Sequence, residues 1–518
     1  MLTPEELATI AETMQPHLDE LNMWISQDMI RRFMARMGRG EKDLLSGTDQ
    51  WQAQVYKEAG GLYEDLQKEL HEFTGKSEDE IKAIFEDAGI RAWNADDIFY
   101  VTQGFESVPL LSSERMLNIL TDCYQRTNNE VYNFTRTTAN ETQRRFIKLL
   151  DSTHMKVMSG AQSYTAAVKE AVSELASTQT EVIYASGHKD TIETAVLRAV
   201  RTGVAQASGN MTLQGMEERD WDLIRVSAHL GARYGDGGEN PGNHYWWQGK
   251  LYSRTGRDKR YPDFISSTGY GSGEGLCGWN CRHSYGPGEP DHNPYKEYDA
   301  EENKKAYDLS QKQRKIERII RADKLKVKGL REAIDCAEDK TLKKELSEDY
   351  EKASARLSMH NAEYNHFCES NGLKRYDDRL SIAKWNRSEA MKAVHATKYY
   401  NATEALKKMR ESGIIRTTGK YTKDFVIPQN LNFESAHLIE RMKERNLSKE
   451  YIYDIINNPN VVLSTRRGKQ YVFYSEKGFA AVNVDGKIQT AGHLDVGGNN
   501  VLEVAKKYGI YRKRHKAE

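Results

Sequence analysis

The sequence predicts a multidomain, mainly α chain. A helical N-terminal domain leads to a loop-rich α+β core, then a helical hairpin or coiled-coil spacer, then a small C-terminal α+β domain. Three observations carry this expectation. The chain has 518 residues, more than one hydrophobic core usually serves. Apolar residues recur at spacings of three and four through most of the first 180 residues and again over 311–368, the period of a one-faced helix. The last ninety residues switch to short alternating runs parted by turn residues, the pattern of strands and hairpins. The expected boundaries are 1–180, 181–298, 299–410, a linker over 411–428, and 429–518.

Each element has its own signal. Thr3 can cap a helix, Pro4 suits the first helical position, and Glu6 stands where a capping-box carboxylate belongs. Leu18, Leu21, Ile25, Met29, Phe33 and Met37 make one apolar face, with Gly38 as the stop. Residues 51–98 read as helix, another helix starts at Ser112 or Ser113, and a further one occupies about 141–175. Their stripes read as packing surface without chemistry. From Val226 onward Gly, Asn, Trp and Tyr crowd together in long loops, which are usually functional or stapled. Leu342, Leu346, Tyr350, Ala353 and Leu357 then restore a helical step, as a spacer or an oligomer contact. In the last domain, helices over ESAHLIERMKERN and SKEYIYDIINN precede four antiparallel strands and a closing helix. Ser448 caps the second helix, and Asp485-Gly486 marks a hairpin turn.

Composition bounds the function. Hydrophobic residues make up 38% and charged residues 29%, with 75 Lys and Arg against 76 Asp and Glu. That balance argues against a whole-chain nucleic-acid binder and leaves room for a local basic patch. No run of 18 apolar residues exists, so no membrane partner is expected. The start, MLTPEELATIAETM, lacks the basic and apolar regions of a secretion signal. Five cysteines, Cys123, Cys277, Cys281, Cys336 and Cys368, do not make a disulfide framework. Synthesis in a reducing bacterial cytoplasm is expected.

The densest signal lies in residues 226–287. Val226-Ser227-Ala228-His229-Leu230-Gly231-Ala232-Arg233 is followed by Trp247-Gln248-Gly249-Lys250-Leu251-Tyr252-Ser253. Tyr261-Pro262-Asp263-Phe264 and Thr268-Gly269-Tyr270-Gly271 come next. Gly273-Glu274-Gly275-Leu276-Cys277-Gly278-Trp279-Asn280-Cys281-Arg282-His283 closes the series, and Arg198-Ala199-Val200-Arg201-Thr202-Gly203 precedes it. In this order the islands resemble the phage minor capsid protein 2 family, relatives of the Mu F-type head morphogenesis proteins, over roughly residues 1–400. A Gly-rich insertion around His244 departs from the pattern. The resemblance implies a low-copy virion protein at the portal vertex or inner head. Its implied partners are portal and other head proteins and packaged DNA, with the N-terminal helices as the contact.

The same region offers metal donors. His229, His244, Cys277, Cys281 and His283 are its donors, and Cys277, Cys281 and His283, with His229, could contribute to a structural zinc site. The other reading is a buried network in which imidazoles satisfy loop carbonyls and the thiols pack as small hydrophobes. His229 and Arg233, four apart, could share a helix face.

The layout of the last ninety residues resembles the phage-associated Barnase–EndoU–colicin–RelE-like nucleases. Metal-free cleavage of RNA needs an acid, a base and cations for the phosphorane charge. His437 and His493 are the acid/base candidates. Arg441, Arg466 and Lys469 are the phosphate contacts, and Tyr471 is a stacking or orienting group. Arg445, Arg467 and Tyr474 are further substrate-binding candidates. Strand alternation would put His493 on one side with Lys487 and Gln489. Residues 426–518 hold 15 lysines and arginines against 10 acidic residues, concentrated in a tail over 511–516, which suits an RNA substrate. A module of the same fold that binds nucleic acid or a head protein without catalysis is the alternative.

Overall fold

Thr3 caps α1 (Pro4–Thr9) through a complete capping box. Its hydroxyl accepts from Glu6 N at 3.2 Å, and the Glu6 carboxylate accepts from Thr3 N at 2.7 Å. The computed structural model describes residues 1–41, 48–177 and 180–512. Of the expected basic tail, 513–516 lie outside the described residues. The chain forms two compact units, Met1–Leu346 with Glu363–Lys384, and Ser347–Ala362 with Trp385–Glu518.

The first unit is built on long helices. α2 (Gln15–Met37) buries the whole expected face from Leu18 to Met37 and stops where Gly38 N–H returns to Met34 O. α3 (Thr48–Thr102) and α4 (Glu114–Met158) follow, the latter capped by Ser113. The expected break before Glu141 does not occur, and α4 runs straight through. Phe134, Thr135, Thr138, Ala139 and Thr142 are buried, so tertiary packing overrides the weak helix propensity of TRTTANET. The Thr135 and Thr137 hydroxyls fold back onto Tyr132 O and Phe134 O. The break falls instead at Ser159 and Gly160, before α5 (Tyr164–Ser177). A short antiparallel hairpin, β1 (Glu181–Ile183) and β2 (Lys189–Thr191), leads into α6 (Ile192–Glu218). α6 packs tightly: a Cβ at Gly203 would fall 2.1 Å from Thr127 Oγ1.

The loop-rich core is held by a small sheet. β3 (Leu223–Val226) leads to α7 (His244–Trp247), β4 (Leu251–Ser253), α8 (Phe264–Thr268) and β5 (Tyr285–Pro287). β3 lies in the middle, antiparallel to both neighbours, with Ile224 opposite Tyr252 and Pro287. α9 (Ala300–Cys336) and α10 (Lys340–Ser370) follow. The expected spacer role fails for α9, which is part of the first unit's core. Its Arg321 pairs with Asp19 on α2 and Glu193 on α6, and Gly329 sits against Ala176 of α5.

The second unit begins with α11 (Arg387–Glu411) and β6 (Lys420–Tyr421). α12 (Ala436–Glu444), α13 (Lys449–Asn457), β7 (Val461–Thr465), β8 (Gln470–Tyr474), β9 (Gly478–Asn483), β10 (Ile488–His493) and α14 (Val496–Lys507) complete it. The sheet is antiparallel in the order β10-β9-β8-β7-β6, five strands rather than the four expected. On one face Tyr421, Leu463, Val472, Tyr474 and Ala481 pack on Ala402 and Leu406 of α11 and Val501 and Leu502 of α14. On the other, Val462, Phe473, Ala480 and Ala491 pack on Leu438 of α12 and Ile452, Ile455 and Ile456 of α13. Residues 411–428 are therefore not a free linker. They deliver β6 to the sheet edge, because Tyr421 buries its ring and donates its hydroxyl to Val501 O.

Candidate metal centre and an arginine-lined cleft

The three donors that converge in the core are His244, Cys281 and His283. One ligand atom from each lies within 4.8 Å of the others, all three residues buried. His244 opens α7, where Asn243 caps by accepting from Trp246 N. His283 lies two residues before β5, and the intervening Ser284 is held by paired hydrogen bonds with Ser227 beyond the end of β3. Cys281 is aimed inward by a tight turn in which Cys277 and Asn280 adopt positive φ (58° and 57°), conformations non-glycine residues rarely take. At Gly278 a Cβ would lie 2.4 Å from Gly273 O, so only glycine fits.

Hydrogen bonds fix which ring nitrogen is free. His283 Nε2 lies 3.0 Å from Gln248 Oε1, which also accepts the His229 N–H. His244 Nε2 lies 2.8 Å from the Glu274 carbonyl. Both oxygens only accept, so the neutral rings carry their protons on Nε2. Each Nδ1 keeps a lone pair, and that of His283 faces Cys281 Sγ at 3.7 Å. Metal-bound histidines are oriented in this way by an acceptor on the other nitrogen. Soft thiolate and imidazole donors suit zinc, so the group could hold a metal ion.

Burial keeps the metal-free side chains neutral. It lowers the His244 imidazole to about 3, helped by Arg233, and pushes His283 well below its ordinary range. It raises the Cys281 thiol to about 11. No carboxylate belongs to the group. Two of the sequence candidates take other places. His229 stacks on His283 at 4.5 Å with its Nδ1 against Leu230 O, and Cys277 directs its thiol to His283 O at 3.9 Å. Neither belongs to the converging set, and His244, inside the insertion, does. The expected helix face of His229 and Arg233 is absent. That stretch is a loop, and Arg233 donates to the Glu274 and Trp279 carbonyls.

His229, His244 and His283 also border a cleft of about 1260 Å³ in the first unit. Arg201 of α6, Arg282 of the turn, Arg314 of α9 and Arg379 line it too. Arg201 and Arg282 stand in the motif islands, but no spacing joins them to Arg314 and Arg379, because the four come from separate segments.

The second unit separates the nuclease candidates. The strand register pairs Thr465 with Gln470 and Gln470 with Asn483, so Arg466, Lys469 and Tyr471 cluster at one end of the sheet. His493 pairs with Gly478 at the opposite end. There its ring meets the Tyr451 hydroxyl at 2.9 Å and Arg445 O at 3.1 Å. Arg445 donates to Ala491 O, and Arg441 pairs with Glu444. His437 lies in the first turn of α12, about two helical turns before Arg445. Tyr474 is buried, its hydroxyl 3.2 Å from that of Thr417, so it is a core residue and not a substrate contact. The side chain of Arg467 lies outside the described residues. The expected alternation of Lys487, Gln489 and His493 also fails. The register shifts between Ile488 and Thr490, so Ile488 and Ala491 share one face and His493 points away from the side of Lys487.

A long-helix body carrying a three-stranded, loop-stapled core is the architecture of residues 1–369, and over this stretch the sequence matches a known family. Residues 2–369 match the family described as Phage minor capsid protein 2. The chain belongs to that family, and its role is that of a phage structural protein. No curated protein and no solved structure matches the chain.

Proposed function

We propose that this protein acts in the phage head, at the portal vertex or on the inner face, and that a structural zinc ion ties its loop core together. The family match over residues 2–369 carries the first part. Portal and other head proteins would be the partners of the helical body. His244, Cys281 and His283 would hold the metal. A fourth ligand would complete a closed tetrahedral site. A bound ion would draw the proton from Cys281 and make its thiolate the anchor between the turn and β5. Fractionation of mature particles tests the location: the chain should co-purify with portal or with DNA-filled heads. Its absence from complete particles, with free protein in the cell, would overturn it.

For the C-terminal unit, nucleic-acid binding without catalysis is the better supported reading. The separation of His493 from Arg466, Lys469 and Tyr471 along the sheet favours it, since general acid/base work needs all groups within hydrogen-bond reach of one phosphate. Metal-independent endoribonuclease action through His437 and His493 is the second reading. Incubating residues 385–518 with total RNA in EDTA decides between them. Binding without fragments is expected. Cleavage to 2′,3′-cyclic phosphate ends that drops about 10²–10⁴-fold in His493→Ala would restore the nuclease.

A further inference from the structure

We propose that the arginine-lined cleft of the first unit binds a phosphate-bearing polyanion, held by Arg201, Arg282, Arg314 and Arg379. The inference does not depend on the metal reading or on the location in the head. Its basis is a charge imbalance inside a formed cavity. Four guanidinium groups from four segments line one cleft of about 1260 Å³. Eleven lysines and arginines line the same cleft against eight carboxylates, and five of the eight have partners, Glu72 with Lys76 among them. Asp19 and Glu193 pair with Arg321, and Glu317 accepts the Tyr364 hydroxyl at 2.7 Å. Glu12 stands 3.8 Å from Arg379.

What remains is cationic. Among the described residues, Arg201 donates to the backbone oxygens of Leu7 and Ala8 and to no carboxylate. Among the described residues, no hydrogen bond or ion pair engages the Arg282 or Arg314 guanidinium. The Arg201 pKa is lowered to about 10 by burial and by Arg314. Half-buried cations that repel one another destabilise a fold unless an anion joins them. The guanidinium fork matches phosphate oxygens two at a time, and the volume exceeds what one phosphate fills. Free oligophosphates or nucleotides and the backbone of a nucleic acid share this chemistry.

Thermal unfolding of the full chain tests the proposal, with tripolyphosphate and a short single-stranded oligonucleotide as separate probes and sodium chloride of matched ionic strength as the reference. Either probe should raise Tm well beyond the salt control, and which one does so identifies the source. Arg282→Gln and Arg314→Gln should each weaken binding by about 10–100-fold, the worth of a charged hydrogen bond. Arg314 is the decisive position because it sits on α9, remote in sequence from the candidate metal ligands. In the absence of anion, Arg314→Gln should melt no lower than the parent, since it removes repulsion. No shift with either probe beyond salt, or equal shifts in the parent and a folded Arg314→Gln, would overturn the proposal.

Discussion

At the scale of single residues, the core site is set by what each donor is forbidden to do. Gln248 Oε1 and the Glu274 carbonyl occupy the Nε2 protons of His283 and His244, so only Nδ1 can ligate. The thiol of Cys281 is held uncharged by burial and gains its charge only beside a cation. Purified protein should therefore hold about one equivalent of zinc by elemental analysis. Cys281→Ser and His244→Ala should each lose it and melt earlier, while His229→Ala, which removes only a stacking ring, should keep it. Stable, metal-free protein would leave the packed network as the correct reading. Gly278→Ala tests the turn alone. The added methyl meets Gly273 O, and the expected cost is about 1–3 kcal/mol in denaturant unfolding. Of these residues, Cys281 and His283 stood out in the sequence by their spacing. His244 was visible as a donor of the region but lay in a Gly-rich insertion, and only the fold brings it to the turn.

At the scale of elements, α10 carries a buried acid with a defined pH signature. Burial raises the Glu351 carboxyl to about 7, against the pull of Lys420, from an ordinary 4.5. The folded state thus holds this proton more tightly than the unfolded chain. The sign follows: the contribution is fully present below about pH 4.5 and is lost as pH rises towards 7. Glu351→Gln should flatten that slope, melting above the parent at pH 8 and converging with it in acid. Parallel Tm curves across pH would show that the group ionises normally. The second unit supplies another element-scale test. α11 and β6 complete one face of its sheet, so residues 385–518 should unfold cooperatively. Residues 426–518, which lack both, should be markedly less stable by circular dichroism and expose the face left open.

At the scale of the whole molecule, two units carry two kinds of surface. The family match spans the helical body and loop core and stops at residue 369, before the five-stranded sheet begins. In the described residues, no helix is long and apolar enough to cross a membrane. The first unit concentrates buried histidines and thiols and an arginine-lined cleft. The second spreads its basic groups over both ends of a sheet. A prediction belongs to this scale: deleting residues 385–518 should leave incorporation into heads intact, because the matched region remains. Loss of incorporation would assign the C-terminal unit a role in assembly.

The sequence by itself determined which segments are helical, which faces they bury, the order of the motif islands and the separate character of the last ninety residues. These are local properties, since a period of three to four or of two reports a face whatever lies against it. The tertiary structure decided the rest. It carried α4 through a run of threonines by burying them, drew 411–428 into a sheet edge, and shifted the register of β10 so that alternation no longer placed His493. It chose His244 over Cys277 and His229 as the third donor, and it gathered four arginines from distant segments into one cleft. Such choices depend on packing between residues far apart in the chain, and no spacing within one segment records them.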